Sequence, residues 1–420
     1  MTRRAIAHKT IVTHIVGVLC LLHLFQSFST LCYAQVSSSE NRWGGALVPL
    51  VNFTTDRGLG YGGFVSVFKK SNRHCVENTN CNIQKGTRYD ASLSAQFYQT
   101  NKNYYYHKLI VDLPRLPKQY RLQLMLGLEN WDRTPYFGLG NHTVVDQRRL
   151  QRNGAKEYSY GVNNVRLITT LLKPLSGSFL LSLGLTIRQT EIELYPESML
   201  ARDQPTGING GHLNLARFGI MYDTRDREPD THQGVLYELE TRLSHRLIAS
   251  DFNSSGVNLT GRWWYTLSLI DLTLASRIGI DIQNGNPPFF QLPIMGGSQW
   301  AEIGGNSLLR GYQFGRFRGL NTIYLTEEMR WRFTQLTLFE RSLGLQLVPF
   351  IDLGRASVPK DSDPFYHIHV SGGLGLRIIY EEAFIIRLDA AFAREEHINT
   401  DNLPNIAVRR GIYAIVGHSF

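Results

Sequence analysis

The 420-residue sequence is poor in cysteine and in long apolar segments. It has four cysteines, and beyond its first 34 residues no apolar run is long enough to cross a bilayer as a helix. It also lacks a Gly-x-Ser-x-Gly nucleophile elbow, a glycine-rich phosphate loop and a nucleic-acid-binding module. These absences argue against a helical membrane protein, a lipase-type hydrolase and a nucleotide- or nucleic-acid-binding protein.

The first 34 residues have the pattern of an export signal. Two arginines and a lysine within residues 1–9 precede a mostly apolar stretch, and small residues occupy the −3 and −1 positions before Gln35. We therefore predict a signal peptide over residues 1–34 and an exported domain over residues 35–420, with an uncleaved signal anchor as the alternative. The signal holds three basic residues and no acid, so the exported part keeps a net charge of about +6.

Cysteine usage agrees with export. Cys75 and Cys81 are the two cysteines outside the signal, and five residues separate them in a polar segment, 71–86. An oxidising compartment favours a local disulfide between them, and a pair of free thiols is the alternative. No further metal ligands lie nearby in the sequence, so we expect no metal site at these cysteines.

The exported part alternates apolar and polar residues with the period of a β-strand. In the segment LTEEMRWRF (325–333), the leucine, methionine, tryptophan and phenylalanine share one face, and Glu328 and the arginines share the other. The charged faces need water, and the apolar faces recur from end to end with no helix to cover them. Together with 38 glycines, 21 phenylalanines and 20 tyrosines, this pattern predicts an all-β fold, a transmembrane antiparallel β-barrel.

Sixteen strands can be placed, an even number as bacterial outer-membrane barrels require. Their approximate positions are 45–53, 60–70, 89–100, 103–113, 120–131, 158–173, 178–191, 213–224, 235–244, 256–269, 271–284, 322–335, 342–354, 365–380, 382–394 and 410–420. A long loop, 284–320, then lies between the eleventh and twelfth strands.

The most informative segment runs from Met295 to Phe333. It is a glycine-rich, aromatic and basic loop that carries Leu309-Arg-Gly-Tyr312 and leads directly into a strand with two acids. This segment resembles the sixth extracellular loop and the following strand of BamA/TamA-type outer-membrane barrels, also called the bacterial surface antigen family. In that family the loop folds back into the barrel, and acids on the inner wall hold its arginine.

The resemblance marks Arg310, with Gly311 and Tyr312, as the loop motif. Its partners map to Glu328 on strand twelve and to Asp352 in the Phe-Ile-Asp-Leu-Gly motif of strand thirteen. Alternation independently puts both carboxylates on the wet face, and a guanidinium can bind carboxylates bidentately. Glu327 is the competing acid, but it falls on the lipid-facing register. The alternative is a solvated surface loop with an incidental arginine.

Other segments resemble the family more weakly. The stretch 136–141 looks like its third-loop signature, 222–226 like the turn after strand eight, and 52–58 like its first hairpin. We expect a tight turn at 222–226, and the alternative there is a calcium site built from Asp223, Asp226, Glu228 and Asp230. We expect His367 and His369 to fill the lumen as polar side chains, and the alternative is that they bind a metal. We expect no metal, no cofactor and no catalytic residue.

The two ends of the predicted barrel suggest a weak seam. Pro49 removes one backbone donor from the first strand and so weakens its pairing with the last strand. We predict that this lateral seam, from Pro49 to Phe420, is the weak point, as in family members that open toward the lipid. The alternative puts Pro49 at a bulge or a non-donating position. Phe420 ends an aromatic-terminated strand of the kind that the outer-membrane assembly machinery recognises.

The resemblance implies an integral outer-membrane protein of a Gram-negative bacterium. Only residues 35–44 precede the first predicted strand, so periplasmic POTRA domains do not fit, and that absence puts insertase activity in doubt. We expect a role in outer-membrane protein or lipid assembly, or in translocation, with an unidentified periplasmic partner protein. The alternatives are a pore and a structural or surface-contact protein. The basic balance suits contact with membrane lipid and lipopolysaccharide phosphates.

Overall fold

The computed structural model describes residues 43–70, 89–227, 230–295, 301–338, 341–358, 367–380 and 384–416. The predicted signal peptide (1–34), both cysteines of the predicted disulfide (Cys75 and Cys81) and Phe420 lie outside these residues, so what we expect of them stays a prediction.

Sixteen antiparallel strands form one closed sheet, which confirms the predicted all-β barrel. Each strand pairs with its neighbours in chain order, and β16 returns to β1. The strands are β1 Trp43–Thr54, β2 Gly58–Lys70, β3 Tyr89–Thr100, β4 Tyr104–Leu113, β5 Arg121–Pro135, β6 Ser159–Pro174, β7 Phe179–Glu193, β8 Gly211–Asp223, β9 Gly234–Ser244, β10 Ser254–Leu267, β11 Leu272–Gly285, β12 Asn321–Leu338, β13 Arg341–Ser357, β14 His369–Tyr380, β15 Phe384–Ile398 and β16 Pro404–Val416.

The predicted alternation sorts side chains between the two faces of the wall. On β12, Met329 and Trp331 are 47% and 46% exposed on the outside, whereas Glu328 and Arg330 are each 1% exposed inside. Apolar side chains on the outer face are exposed all round the barrel, from Val51 on β1 to Ile412 on β16. The barrel therefore has an apolar exterior and an interior of charged and polar groups.

The two ends of the barrel differ in their connections. One end, which we call the short-turn end, has tight connections such as 175–178 and 268–271. The other, the long-loop end, has the loops L3 (136–158), L4 (194–210) and L6 (286–320). L6 contains one small hairpin, in which Ile294–Met295 pairs with Ala301–Glu302.

Short helices occur only in connections. Helix α1, Gln147–Asn153, lies in L3, and the Asp146 side chain caps its first turn. Helix α2, Met199–Asp203, lies in L4 with Ser198 as its cap. Single 3-10 turns cover Pro117–Gln119, Gly154–Lys156 and Arg246–Ile248. Across the described ranges, no helix combines the length and the apolar character needed to span a membrane.

The barrel closes over a short seam. Within the described residues, β1 and β16 pair only through Phe53 with Ala414 and Thr54 with Tyr413. Just past β1, the Thr55 amide donates to the Ile412 carbonyl at 3.1 Å. By contrast, β1 pairs with β2 along its whole length. Because β1 ends level with Tyr413, the part of β16 from Pro404 to Gly411 rises above it toward the long-loop end.

Candidate functional site

L6 turns into the lumen at the predicted motif. Leu309 and Gly311 both have positive φ, 48° and 99°, and between them they turn the side chain of Arg310 toward the inner wall. Glycine is required at 311 for space as well, because a Cβ there would lie 3.2 Å from the Cβ of Ala393 on β15. Arg310 is completely buried.

The structure brings Arg310 together with both acids that the sequence singled out. Its Nε and Nη2 donate to the two carboxylate oxygens of Asp352 at 2.8 and 2.9 Å, and its backbone amide donates to Asp352 Oδ2 at 2.9 Å. Nη1 donates to Glu328 Oε1 at 2.7 Å. The guanidinium carbon also lies 3.4 Å from the ring centroid of Phe350. One side chain of L6 is thus fixed to β12 and β13 in both position and orientation.

A third acid and three further arginines complete this cluster. Arg310 Nη1 lies 3.4 Å from Asp389 Oδ2 on β15. Arg377 on β14 contacts both Asp389 and Glu328, and Arg387 and Arg330 lie 3.6 and 2.9 Å from Asp389 and Glu328 respectively. We call Arg310, Glu328, Arg330, Asp352, Arg377, Arg387 and Asp389 the arginine cluster.

The arginine cluster is a desolvated ionic network. All seven side chains are at most 1% exposed, and four guanidiniums face three carboxylates. Charges removed from water in this way must compensate one another, so loss of one member leaves its partners buried and unpaired. These ion pairs attach Arg310, and with it L6, to the inner wall of the barrel.

The motif residues after Arg310 extend the attachment to the last strands. The Gly311 amide donates to the phenol oxygen of Tyr413 on β16 at 3.0 Å. The Tyr312 hydroxyl donates to the Arg394 carbonyl on β15 at 2.7 Å. Farther along L6, the Phe314 amide donates to the carboxylate of Asp56 at 3.2 Å, and Asp56 also pairs with Arg409 of β16 at 3.3 Å.

Two more arginines tie L6 to L3. Arg318 donates to the backbone carbonyls of Pro135 and Phe289 at 2.7 and 3.0 Å, and its own carbonyl accepts from the Gly140 amide at 2.8 Å. Arg316 pairs with Glu395 at 2.6 Å and donates to the Thr143 carbonyl at 2.6 Å. Both arginines are at most 2% exposed.

The third-loop stretch 136–141 takes part in the same layer. The side-chain Nδ2 of Asn141 donates to the His367 carbonyl at 2.6 Å, and its Oδ1 accepts from the Ala356 backbone amide at 3.3 Å. L3 therefore joins the connections around β13 and β14 to L6.

The histidines considered as metal ligands have protein partners. A ring nitrogen of His369 lies 3.1 Å from the Asn141 carbonyl, and its ring stacks on Phe317 at 3.8 Å. The His367 ring meets His142 edge-to-face at 4.7 Å. Within the part of the chain that the structure describes, no group of three or more metal-ligating side chains occurs.

The acids of the turn after β8 are likewise engaged by the protein. Asp223 binds Arg225 through both oxygens at 3.0 and 2.8 Å, and Asp226 accepts from the His232 amide at 3.0 Å. Asp230 pairs with Arg332 at 3.0 Å. Glu228, the fourth acid of the calcium alternative, lies outside the described residues.

The other predicted positions lie apart from the arginine cluster. Glu327 is on the outer face, where the Ser276 hydroxyl donates to its carboxylate, as its register predicts. Pro49 lies in β1 opposite Gly63 of β2, below the residues that pair with β16.

Sequence reasoning missed several members of the site. It did not identify Asp389, Arg377, Arg387 or Tyr413 as partners of the loop. Alternation along their strands predicts that Arg377, Arg387 and Asp389 face the lumen, and this facing is the sequence signal that points to them. Arg316 and Arg318 lie in the basic loop, but their spacing gave no indication that they would reach L3.

The closed sixteen-stranded barrel and the arginine-bearing loop inside it define the class: a membrane β-barrel with an inward-folded L6. A family model described as the Omp85 superfamily domain matches residues 77–420. The match covers most of the chain, and the chain belongs to the Omp85 superfamily. A barrel of this family implies the outer membrane of a Gram-negative bacterium.

Solved structures show the same fold. BamA from Haemophilus ducreyi lacking POTRA domains 1–3 is similar with a TM-score of 0.58 and 13% identity, over 89% of this chain and 70% of that chain. CdiB from Escherichia coli has a TM-score of 0.53 and 11% identity, over 90% of this chain and 64% of that chain. CdiB from Acinetobacter baumannii has a TM-score of 0.50 and 13% identity, over 89% of this chain and 60% of that chain. At these identities the likeness concerns the fold alone. No curated protein matches the sequence.

Proposed function

We propose that this barrel assembles or translocates protein or lipid at the outer membrane by opening laterally between β1 and β16. The observation that carries the proposal is the seam itself, where the described strands share only the pairs Phe53–Ala414 and Thr54–Tyr413. A closed barrel is stable because it has no free edge. Breaking these described pairs would create a free edge whose backbone groups could pair with an incoming strand.

L6 supports this role because it crosses the seam from inside. It is fixed to β12, β13 and β15 by Arg310, to β16 by Gly311, and to the β1–β2 turn through Phe314 and Asp56. L6 contacts the two sides of the seam through the Gly311–Tyr413 and Phe314–Asp56 hydrogen bonds and the packing of Phe314 against Arg57, whereas the arginine cluster is an extended ionic network. Opening can therefore break the weak contacts while L6 stays anchored to the far wall.

Pro49 fits the same role. It lies in the part of β1 that continues toward the short-turn end beyond the seam pairs. A residue without an amide hydrogen there cannot strengthen pairing with β16. We propose that Pro49 and the C-terminal residue Phe420, which lies outside the described residues, belong to the movable part of the seam.

We further propose that the barrel works with a separate periplasmic partner that delivers its client, as an assembly protein and not as an enzyme. The outer face suits contact with lipid, and the basic balance suits the phosphates of lipopolysaccharide. We also propose that the outer-membrane assembly machinery recognises the last strand of this chain.

A disulfide across the seam tests lateral opening. Phe53→Cys with Ala414→Cys joins two register partners, in a background where Cys75 and Cys81 are replaced by serine. The matched control, Val65→Cys with Ala95→Cys, joins register partners of β2 and β3 away from the seam. The readout is insertion of an unfolded outer-membrane barrel into lipid vesicles that contain the protein, before and after reduction.

If the proposal is right, the seam disulfide blocks insertion until it is reduced, and the control disulfide does not. Equal insertion by the locked and reduced proteins would contradict lateral opening. Ion conductance in planar bilayers that persists with the seam locked, together with no insertion in either state, would instead favour the pore.

A further inference from the structure

Part of the lumen wall breaks the rule that inward positions are polar. Ile110 on β4 pairs with Met125 on β5, and Met125 pairs with Ile168 on β6, so three aliphatic side chains form one inward row. Their neighbours on the other face, such as Leu109 and Leu126, are exposed at 43% and 41% toward the membrane. The inward row is therefore additional to the lipid-facing surface.

A second apolar group continues this surface along the wall. Leu180, Met221, Leu236, Trp264 and Ala275 pack together inside the barrel, with Leu172 against them. Leu172 and Met221 each lie two residues from the end of their strand, at the short-turn end. This aliphatic lining is not among the hydrogen-bonding and ionic partners that hold L6.

Ile110, Met125, Ile168, Leu172 and Met221 line a cavity of about 500 Å³ between L6 and the wall formed by β4 to β9. On the L6 side, Ile294, Ser307 and Phe314 bound it. Its volume lies within the roughly 300–1,000 Å³ that is usual for small-molecule sites.

Arg57, Lys108, Arg166 and Arg217 are the cations of the cavity lining. The Arg57 guanidinium lies 4.2 Å from the ring centroid of Phe314. Arg166 is paired with Glu129, and Arg217 with Glu240 at 3.3 Å. The ammonium of Lys108 lies 4.4 Å from the ring centroid of Tyr106, and no described carboxylate lies within salt-bridge distance of it. Lys108 is two residues from Ile110 on the same face of β4, so the cation sits directly above the apolar row.

We propose that this cavity binds an anionic single-chain amphiphile, with its acyl chain along the aliphatic row and its acidic head at Lys108. A cation beside an aliphatic surface matches both parts of such a molecule. A polypeptide is a poorer match, because its backbone amides and carbonyls would need hydrogen-bond partners that aliphatic side chains do not supply. The site would allow the barrel to hold a lipid-derived molecule inside the lumen.

Photo-crosslinking with two probes of equal chain length tests the site. One is a diazirine fatty acid and the other the corresponding diazirine fatty alcohol, each added to the full-length protein in lipid nanodiscs. Mass spectrometry then assigns the labelled residues. Both probes will label outward residues such as Leu126 from the bilayer, so the informative signal is labelling of the inward Met125, Ile168 and Leu172.

We expect the acid to label the inward residues. Lys108→Gln should reduce that labelling about tenfold, as loss of a contact with a charged group implies. Lys108→Arg should retain it. Alcohol labelling should be insensitive to the charge at 108, and Ile168→Asp should abolish inward labelling by both probes. Retained protection of L6 from protease shows that each variant is folded.

Two results would overturn the proposal. One is acid labelling confined to outward residues in the folded wild-type protein. The other is inward acid labelling that is equal in wild type and Lys108→Gln. Inward labelling by an apolar diazirine peptide, with none by the fatty acid, would assign the cavity to polypeptide and reject the lipid. None of these readouts depends on lateral opening, so they are independent of the proposed function.

Discussion

The amide of Gly311, at the tip of L6, donates a hydrogen bond to the phenol oxygen of Tyr413 at 3.0 Å. Tyr413 is also one of the two residues through which β16 pairs with β1 at the seam. The residue after the anchoring arginine therefore contacts the strand that must move if the barrel opens. This bond couples the seam to L6, as does the Phe314–Asp56 contact on the other side.

Tyr413→Phe should weaken both the loop and the seam. It leaves the buried Gly311 amide without its acceptor, at a cost of about 1–3 kcal/mol. We expect a lower temperature for loss of the folded, fast-migrating form on semi-native gels, and faster proteolysis within L6. Tyr265→Phe, at a 60% exposed position on the outer face, is the control. Identical melting of Tyr413→Phe and wild type would mean that the bond contributes nothing.

Arg310→Ala should have the largest effect of any single change in L6. It leaves Asp352, Glu328 and Asp389 without a guanidinium that now contacts all three. Breaking a buried network in this way costs about 3–5 kcal/mol. Arg310→Lys should restore only part of this stability, because an ammonium cannot reproduce the bidentate contact with Asp352.

The measurement for Arg310 is the same melting series, combined with protease mapping of L6. The exposed arginine Arg410→Ala on β16 controls for loss of positive charge. If Arg310→Ala melted like Arg410→Ala and its L6 remained protected, the arginine cluster would not be what holds the loop.

Replacing Asp352 should free L6 from the inner wall, whereas replacing Asp389 should mainly destabilise the barrel. Asp352 contacts Arg310 three times, whereas Asp389 contacts it at 3.4 Å and is closer to Arg377. Asp352→Asn should therefore expose L6 to protease, and Asp389→Asn should lower the melting temperature with less exposure of L6. The loss of Asp389 leaves Arg377 among other arginines without its carboxylate partner. Adding Arg377→Gln to Asp389→Asn should therefore restore part of the lost melting temperature. If the double variant melted at a lower temperature than Asp389→Asn alone, unbalanced positive charge would not be the cause of the destabilisation.

The sequence predicted the barrel well because a strand pattern is local. Alternation along one strand decides which face a side chain occupies, and sixteen such patterns suffice to count the strands. The same alternation placed Glu328 and Asp352 inside and Glu327 outside. The link between Arg310 and its two acids came from the resemblance to a family, since no local rule joins residues 18 and 42 positions apart.

The contacts that could not be predicted join residues that are far apart in the sequence and close only in the folded barrel. Asp389 meets Arg310 because the folded loop brings the guanidinium within 3.4 Å of β15, and the pattern of its own strand predicts only that Asp389 faces the lumen. Helices α1 and α2 are too short to give a periodic signal, and caps such as Asp146 can be recognised only when the turn is seen. The last strand begins at Pro404, six residues before the predicted start. A proline is compatible with this position because it is the first residue of the strand, where a missing backbone donor costs little.

Arg318 gives a prediction for the layer formed by L3 and L6. Its guanidinium donates to the backbone carbonyls of Pro135, the last residue of β5 before L3, and of Phe289 within L6. Arg318→Ala leaves both buried carbonyls without this donor, at about 1.5–3 kcal/mol for a charged hydrogen bond. Hydrogen exchange should then rise in L3 and in the first part of L6, while the segment around Arg310 stays protected.

The control for Arg318 is Arg246→Ala, which removes an exposed arginine from another connection at the long-loop end. A rise in exchange that spread to the segment around Arg310 would show that the two attachments are one cooperative unit. Exchange confined to L3 and the start of L6 would show that they are separate, because the arginine cluster draws its partners from β12 to β15 and needs nothing from L3. In that case L6 is anchored by independent attachments, and the outer layer can loosen without withdrawing Arg310 from the lumen.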